Sequence, residues 1–335
     1  MMKPAMSRTT CRRIVLTLMS CAAAVAIGTA QAADPIKVRL GDLAQAVNAI
    51  ASNVMIQQGF DKKHGIAIEY STYPTLDGLF TAIRGKQVDV GFGGWTAFAQ
   101  FRNKGFPVVM FYPVGRGVSL DIIAPRGSTF RTLEDLKGKK VGSYAGAAGT
   151  ATVLFRVLAS KYYGYDPAKT NDLQYAGPGL LPSLVEKNEI AAALLFDPLA
   201  AKAIASGKFR SVANLADVYK EKVGDDFLWI GVASNDDFVG QQPAAIAGFT
   251  RAWSESVAYV KSHPEVYDSY GKALGLDAKG TAILRDRVNA DYTTTWTDDT
   301  VRSLGKFAKL ANEVMGGGFL DDVPPAAFTT RFVPR

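Results

Sequence analysis

The chain has 335 residues, 48% of them apolar and 21% charged, which excludes a disordered chain and leaves room for two lobes with their own cores. Its 38 basic and 31 acidic residues give a formal charge of +7. Four of the basic residues but none of the acidic ones fall in the first 32 positions, so the remainder carries only +3 and the case for a nucleic-acid partner falls away.

Residues 1–32 read as an export signal. Lys3, Arg8, Arg12 and Arg13 make a basic start, residues 14–27 an apolar core, and Ala30-Gln31-Ala32 a small-x-small cleavage site. The apolar core is shorter than the roughly 20 residues a membrane helix needs. The expected product is therefore exported, periplasmic and soluble. Lipid anchoring at Cys21 is the less favoured reading, because nine apolar or small residues follow it, and Arg12-Arg13 fits a twin-arginine signal only loosely. Both cysteines, Cys11 and Cys21, lie in this segment, so residues 33–335 hold no disulfide, cysteine nucleophile or thiolate metal site.

Beyond it, a β-α-β-α-β pattern occurs twice, offset by about 100 residues. The first copy, residues 36–98, opens on the strand Ile36-Lys37-Val38-Arg39-Leu40 and a helix with Leu43, Val47, Ile50 and Val54 at helical spacing. It continues through Gly59-Phe60-Asp61, a strand around Tyr70, Pro74, Gly85-Lys86-Gln87, the strand Val88-Asp89-Val90-Gly91-Phe92 and a helix start at Trp95-Thr96. Strands at 108–112 and 120–124 follow, with the glycines of 113–117 suiting a crossing between lobes. The second copy opens at Lys139-Lys140-Val141-Gly142-Ser143 and passes Gly164-Tyr165-Asp166, Tyr175, Pro178 and Glu186-Lys187-Asn188 to a strand at 190–196 and a helix start at Asp197-Pro198. The chain then returns to a strand at 227–233, followed by helices at 244–262, 264–274, 281–290 and 298–315, with Pro243 and Pro264 in first-turn positions. The expected division is lobe 1 from 33–117 with 212–335, and lobe 2 from 118–211.

In an α/β sheet, ligands gather at the carboxyl ends of strands, where helices present free amide groups. Four junctions qualify: Gly41-Asp42-Leu43-Ala44-Gln45, Gly93-Gly94-Trp95-Thr96, the small-residue loop 143–150, and Phe196-Asp197-Pro198. In the loop, Gly146 and Gly149 let the backbone close on a ligand and Thr150 offers a cap or a hydroxyl. No lysine follows in phosphate-loop spacing, and the third glycine of a dinucleotide fingerprint is missing after Gly91-Phe92-Gly93. Trp95, Tyr144, Phe196 and Trp229 are candidate aromatic walls. Asp197, Asp121 and Arg116 each admit a structural role or a ligand contact. His64 and His263 lack metal-ligand spacing and Ser143 lacks a nucleophile elbow, so neither a catalytic nor a metal site is expected. No cofactor is expected.

The runs Leu79-Phe80-Thr81-Ala82-Ile83-Arg84-Gly85-Lys86-Gln87-Val88-Asp89-Val90-Gly91, Gly93-Gly94-Trp95-Thr96, Thr132-Leu133-Glu134-Asp135-Leu136-Lys137-Gly138, Leu194-Leu195-Phe196-Asp197-Pro198 and Trp229-Ile230-Gly231-Val232-Ala233 resemble the nitrate/sulfonate/taurine family of ABC-transporter substrate-binding proteins, with an NMT1/THI5-like domain. The resemblance implies a two-lobed, periplasmic-binding-protein-like (type II) α/β fold that closes on a small ligand, as a monomer and not an enzyme. It would deliver the ligand to an ABC permease and its ATPase. It further implies that Gln45, Trp95, Thr96, Ser119, Gly146, Gly149, Thr150, Phe196, Asp197 and Trp229 lie about the cleft, beside Tyr144. Members often carry two small hydroxyl residues where this chain has Trp95-Thr96, and Trp where it has Phe196. The implied ligand is a small organic anion or zwitterion, sulfonate-like or taurine-like. An aromatic or pyrimidine-type ligand, a sensing role and an ion-driven transporter subunit stay open.

Overall fold

The computed structural model describes residues 34–44, 46–316, 319–320 and 323–334; the predicted signal segment and Gln45 lie outside them. Among the described residues, ten strands form two sheets: β1 Ile36–Leu43, β2 Ile66–Tyr73, β3 Val90–Gly94, β4 Val108–Gly115, β5 Asp121–Pro125, β6 Lys140–Ser143, β7 Asp172–Tyr175, β8 Ala192–Leu195, β9 Phe209–Asn214 and β10 Ile230–Asn235. The first sheet runs β2-β1-β3-β10-β4 and the second β7-β6-β8-β5-β9. In each, the opening strand of the repeated unit lies between two parallel neighbours, β1 between β2 and β3, β6 between β7 and β8. An antiparallel strand then completes the pattern: β10 between β3 and β4, β5 between β8 and β9. The repeat seen in the sequence is thus a repeat of sheet topology.

Strands covered by helices on both faces read as continuous apolar runs. β4 and β8 are buried along their whole length. The long helix Pro243–Ser262 lies against the first sheet and drives Phe249 and Trp253 among Phe92 and Phe111. Trp253 meets Tyr292 edge-on, and the Tyr292 hydroxyl donates to the Val47 carbonyl at 2.7 Å. Helix Thr150–Tyr162 buries Val153, Leu154, Val157 and Leu158 on the other side of the molecule.

Two features differ from the sequence expectation. β9 and the helix Leu215–Val223 occupy a stretch too polar to show a periodic signal, since β9 is a partly exposed edge strand. The C-terminal helices do not all return to the first sheet. Helix Ala278–Asp291 packs on helix Leu199–Ala205, where Gly280 lets it approach Ala205, and its Arg287 pairs with Asp121 and Asp197 of the second sheet. Helix Asp298–Met315 reaches helix Thr150–Tyr162 through the Lys161–Glu313 pair, while Phe307 lies against Trp95, Tyr219 and Phe227. The tail therefore straps both sheets, because its apolar and charged faces find partners on each.

Between the sheets the chain crosses at residues 115–120, and the crossing is pinned from several sides. The Trp229 amide donates to the Gly115 carbonyl at 2.9 Å, Thr293 to Val114 at 2.9 Å, Arg116 to the Asp291 carbonyl at 2.9 Å, and Asn214 Nδ2 to Val118 at 2.6 Å. The buried Asp291 carboxylate accepts from the Ser119 amide, with Val118 and Gly117 amides also directed at it. Gly115 must be glycine here: a Cβ would sit 2.6 Å from Asp291 Oδ2.

Among the described residues, no helix is long and apolar enough to cross a membrane. Replacing the fully buried Phe249 with alanine should destabilise the protein by about 3–5 kcal/mol, read as a lower urea midpoint, since its ring is enclosed by Phe92, Phe111 and Trp253.

Candidate functional site

The strand ends that the sequence nominated converge on one cavity of about 430 Å³, within the range for small-ligand pockets. β1 leads into Asp42, Leu43 and Asn48; β3 into Gly93 and Gly94; β6 into the loop from Tyr144 to Thr150; β8 into Phe196. β10 runs antiparallel to β3, with Ile230 opposite Gly94, so its beginning, with Trp229 before it, lies at the same end.

Six predicted residues line this cavity: Tyr144, Gly146, Gly149, Thr150, Phe196 and Trp229. The rings of Tyr144 and Phe196 are 4.6 Å apart by centroid, and Phe196 and Trp229 6.0 Å. Gly149 is the N-cap of helix Thr150–Tyr162, which no side chain caps, so its first-turn amides are left without intrahelical partners at the cavity. A Cβ on Gly149 would overlap the Ala145 carbonyl oxygen, so the tight approach requires glycine. Burial, with the Asp291 charge adding to it, pushes the Tyr144 phenol well above its ordinary range, and its hydroxyl has no protein partner. It is an uncommitted donor in the wall.

Four predicted residues are elsewhere. Trp95 is fully buried but faces away from the cavity, against Phe307 and Phe328, because the C-terminal segment supplies an aromatic slot behind its helix. Thr96 sits behind the wall, its hydroxyl 2.5 Å from Thr150 Oγ1. Ser119 belongs to the crossing, where its amide donates to Asp291 Oδ1. Asp197 turns out of the cavity: Oδ1 accepts from the Ala201 amide at 2.8 Å and Oδ2 from Arg287 Nε at 2.7 Å. Asp121 is spent on the same guanidinium and on Ser211, and Arg116 pairs with Asp226. Gln45 lies outside the described residues.

Sequence reasoning missed five polar lining residues: Asp42, Asn48, Asp77, Arg84 and Gln100. Asp42 stood in a nominated junction, and its position directly after Gly41 at the end of β1 was the available signal. Its carboxylate is fully buried, accepting from the Leu43 amide at 2.7 Å, Asn48 Nδ2 at 3.1 Å and the Tyr70 hydroxyl at 2.9 Å. No cation pairs with it among the described residues, and burial pushes it up to about 7 despite these hydrogen bonds. Arg84 donates to the Phe80 carbonyl at 3.2 Å and lies over the rings of Phe101 and Phe106. Among the described residues no group of histidine, cysteine and carboxylate side chains is arranged to hold a metal.

Two outcomes follow for stability. Thr150→Val should cost about 1–3 kcal/mol in denaturant unfolding, because it leaves the buried Thr96 hydroxyl unpaired. Asp42 is raised from 3.8 to about 7, so the folded state holds the extra proton between those values. Its contribution is full below about pH 4 and is lost as pH rises through about 7. The unliganded protein should melt higher at pH 5 than at pH 8, and Asp42→Asn should flatten that difference and raise the melting temperature at pH 8.

No curated protein sequence matches the chain. Its fold is similar to that of the alkanesulfonate-binding protein SsuA from Xanthomonas axonopodis pv. citri bound to MOPS, at TM-score 0.71 and 16% identity, covering 91% of this chain and 96% of that one. It is also similar to the periplasmic aliphatic sulphonate binding protein SsuA from Escherichia coli, at 0.68 and 18%, covering 89% and 92%. A Candida albicans protein with the generic periplasmic binding protein fold aligns at 0.65 and 14%, covering 88% and 96%. The two sheets are therefore the lobes of a periplasmic-binding-protein fold. The family model described as NMT1/THI5 like matches residues 48–266, more than half of the sequence, and the chain belongs to the NMT1/THI5-like family.

Proposed function

We propose that this protein is an extracytoplasmic solute-binding protein of an ABC import system, which captures a small organic anion or zwitterion between its two lobes and carries it to a membrane permease. The carrying observation is the uncapped start of helix Thr150–Tyr162, presented with the Tyr144 hydroxyl to a cavity between the sheets. Such a helix start favours negative charge and supplies unpaired amides to hydrogen-bond it. The family and the sulfonate-binding proteins of like fold support the same reading. Nothing in it calls for catalysis.

Capture would proceed by closure about the crossing at residues 115–120, with the loop from Tyr144 to Thr150 moving against the wall of Asp42, Asn48 and Gly94. The Thr96–Thr150 hydroxyl contact joins the starts of two helices, one from each sheet, and would form as the lobes meet. Water excluded by Phe196, Trp229 and Tyr144 would strengthen the polar contacts inside. Export through residues 1–32, cleavage after Ala32 and a monomeric state are parts of the same proposal.

The aromatic lining favours a second ligand class, an aromatic carboxylate or pyrimidine-type compound, on the same cleft. Both classes are separated by thermal unfolding of the purified protein, first unfolded and refolded to release host ligand. Alkanesulfonates, taurine, nitrate, aromatic carboxylates and pyrimidines would be compared. A ligand at 100 times its Kd should add about 2.7 kcal/mol. Stabilisation by sulfonates that weakens in Tyr144→Phe, which removes the uncommitted hydroxyl alone, supports the proposal; stabilisation confined to the aromatic compounds replaces it with the second reading.

A further inference from the structure

The cavity is chemically asymmetric. The wall built from β6 and the helix after it offers donors without acceptors: the Tyr144 hydroxyl and the first amides of helix Thr150–Tyr162. The wall built from β1 and helix Asn48–Gln57 offers the reverse. Asn48 is 1% exposed, lines the cavity, and its Oδ1 accepts nothing. Its Nδ2 is committed to Asp42 Oδ1. Asp42 Oδ2 accepts only from Tyr70, leaving lone-pair capacity on a buried carboxylate with no cation.

The start of helix Asn48–Gln57 does not make this wall an anion site. The Ala49 and Ile50 amides are taken by the carbonyls of Ala46 and Val47, and the Ala51 amide by the Tyr292 hydroxyl. The contrast with Asp197 is chemical: there Arg287 pairs with the carboxylate, whereas no cation among the described residues pairs with Asp42. A buried, uncompensated carboxylate beside an unsatisfied amide oxygen is costly, and a ligand bearing a cationic donor would relieve both at once.

We propose that Asp42 and Asn48 form the ammonium-selecting end of the cleft, so that the ligand is a zwitterion with its primary amine on Asp42 and Asn48 Oδ1 and its anionic group toward helix Thr150–Tyr162. This rests on the solute-binding reading above and narrows its ligand class. Plain alkanesulfonates and carboxylates lack the ammonium group that the wall of Asp42 and Asn48 requires. Asp42 and Asn48 act as specificity-determining residues.

Calorimetric titration of the refolded protein with matched pairs tests this: taurine against ethanesulfonate, and 3-aminopropanoate against propanoate. The amino member of a pair should bind at least about tenfold tighter. In Asp42→Asn, which is nearly isosteric, the ratio within each pair should fall to about one. The comparison on the unaltered protein stands whether or not the variant folds. Equal affinity within every pair, or a ratio unchanged in Asp42→Asn, overturns the ammonium assignment and leaves the anion-binding reading in place. Absence of binding by any member of either pair, with binding by aromatic compounds, overturns both.

Discussion

The architecture depends on the knot of hydrogen bonds around the crossing at residues 115–120. Three separate passages of chain meet there: the outward crossing itself, the return that begins β10 at Trp229, and the end of helix Ala278–Asp291. A buried carboxylate, Asp291, accepts backbone amides from the crossing, and burial pushes it up to about 6 against those stabilising bonds. Backbone groups without sheet partners would otherwise be stranded where two sheets must separate. Because Trp229 is tied to Gly115 in the same knot, one aromatic wall of the cavity is positioned by the element that joins the lobes.

Buried carboxylates recur in this molecule with different consequences. Asp121 and Asp197 share Arg287, which adds a strap between the C-terminal helix and the second sheet. Asp291 accepts backbone amides on Oδ1, away from the cavity, and its buried Oδ2 has no hydrogen-bond partner among the described residues. Asp42 alone among these faces the cavity with spare acceptor capacity and no cation, so its burial is a cost that the apo fold carries. Breaking the Arg287 cluster would leave two buried acids uncompensated, a large loss of stability. Removing the charge at Asp42 relieves a strain instead. A site that is less stable than it need be is the expected mark of a group retained for a ligand.

The aromatic residues divide in a similar way. Tyr144, Phe196 and Trp229 are in the cavity wall, whereas Trp95, equally apolar and equally close to a strand end, completes the core with Phe307 and Phe328. The difference is one of direction at the first turn of a helix. Gly94 precedes Trp95 and lets the Thr150 side chain approach, since a Cβ there would overlap Thr150 Oγ1, while the indole lies against Phe307 of helix Asp298–Met315. The bulk of Trp95 thus does not narrow the pocket.

The sequence by itself determined the alternation of strands and helices, the doubled β-α-β-α-β unit and the family, because apolar period, glycine turns and helix starts are local properties of the chain. Strands around residues 36–40, 108–112 and 120–124 and the helices from Pro243 onward sit close to where periodicity located them. The small-residue loop before Thr150 was legible for the same reason, since close backbone approach needs small side chains wherever it occurs. Only the tertiary structure decided which nominated residues face the cavity. Trp95 turned to a slot made by residues more than 200 positions later, and Asp197 to Arg287, 90 positions on. Asp42 lines the cavity, and no cation among the described residues neutralises it. Orientation and charge compensation are set by partners distant in sequence, and no local pattern encodes them.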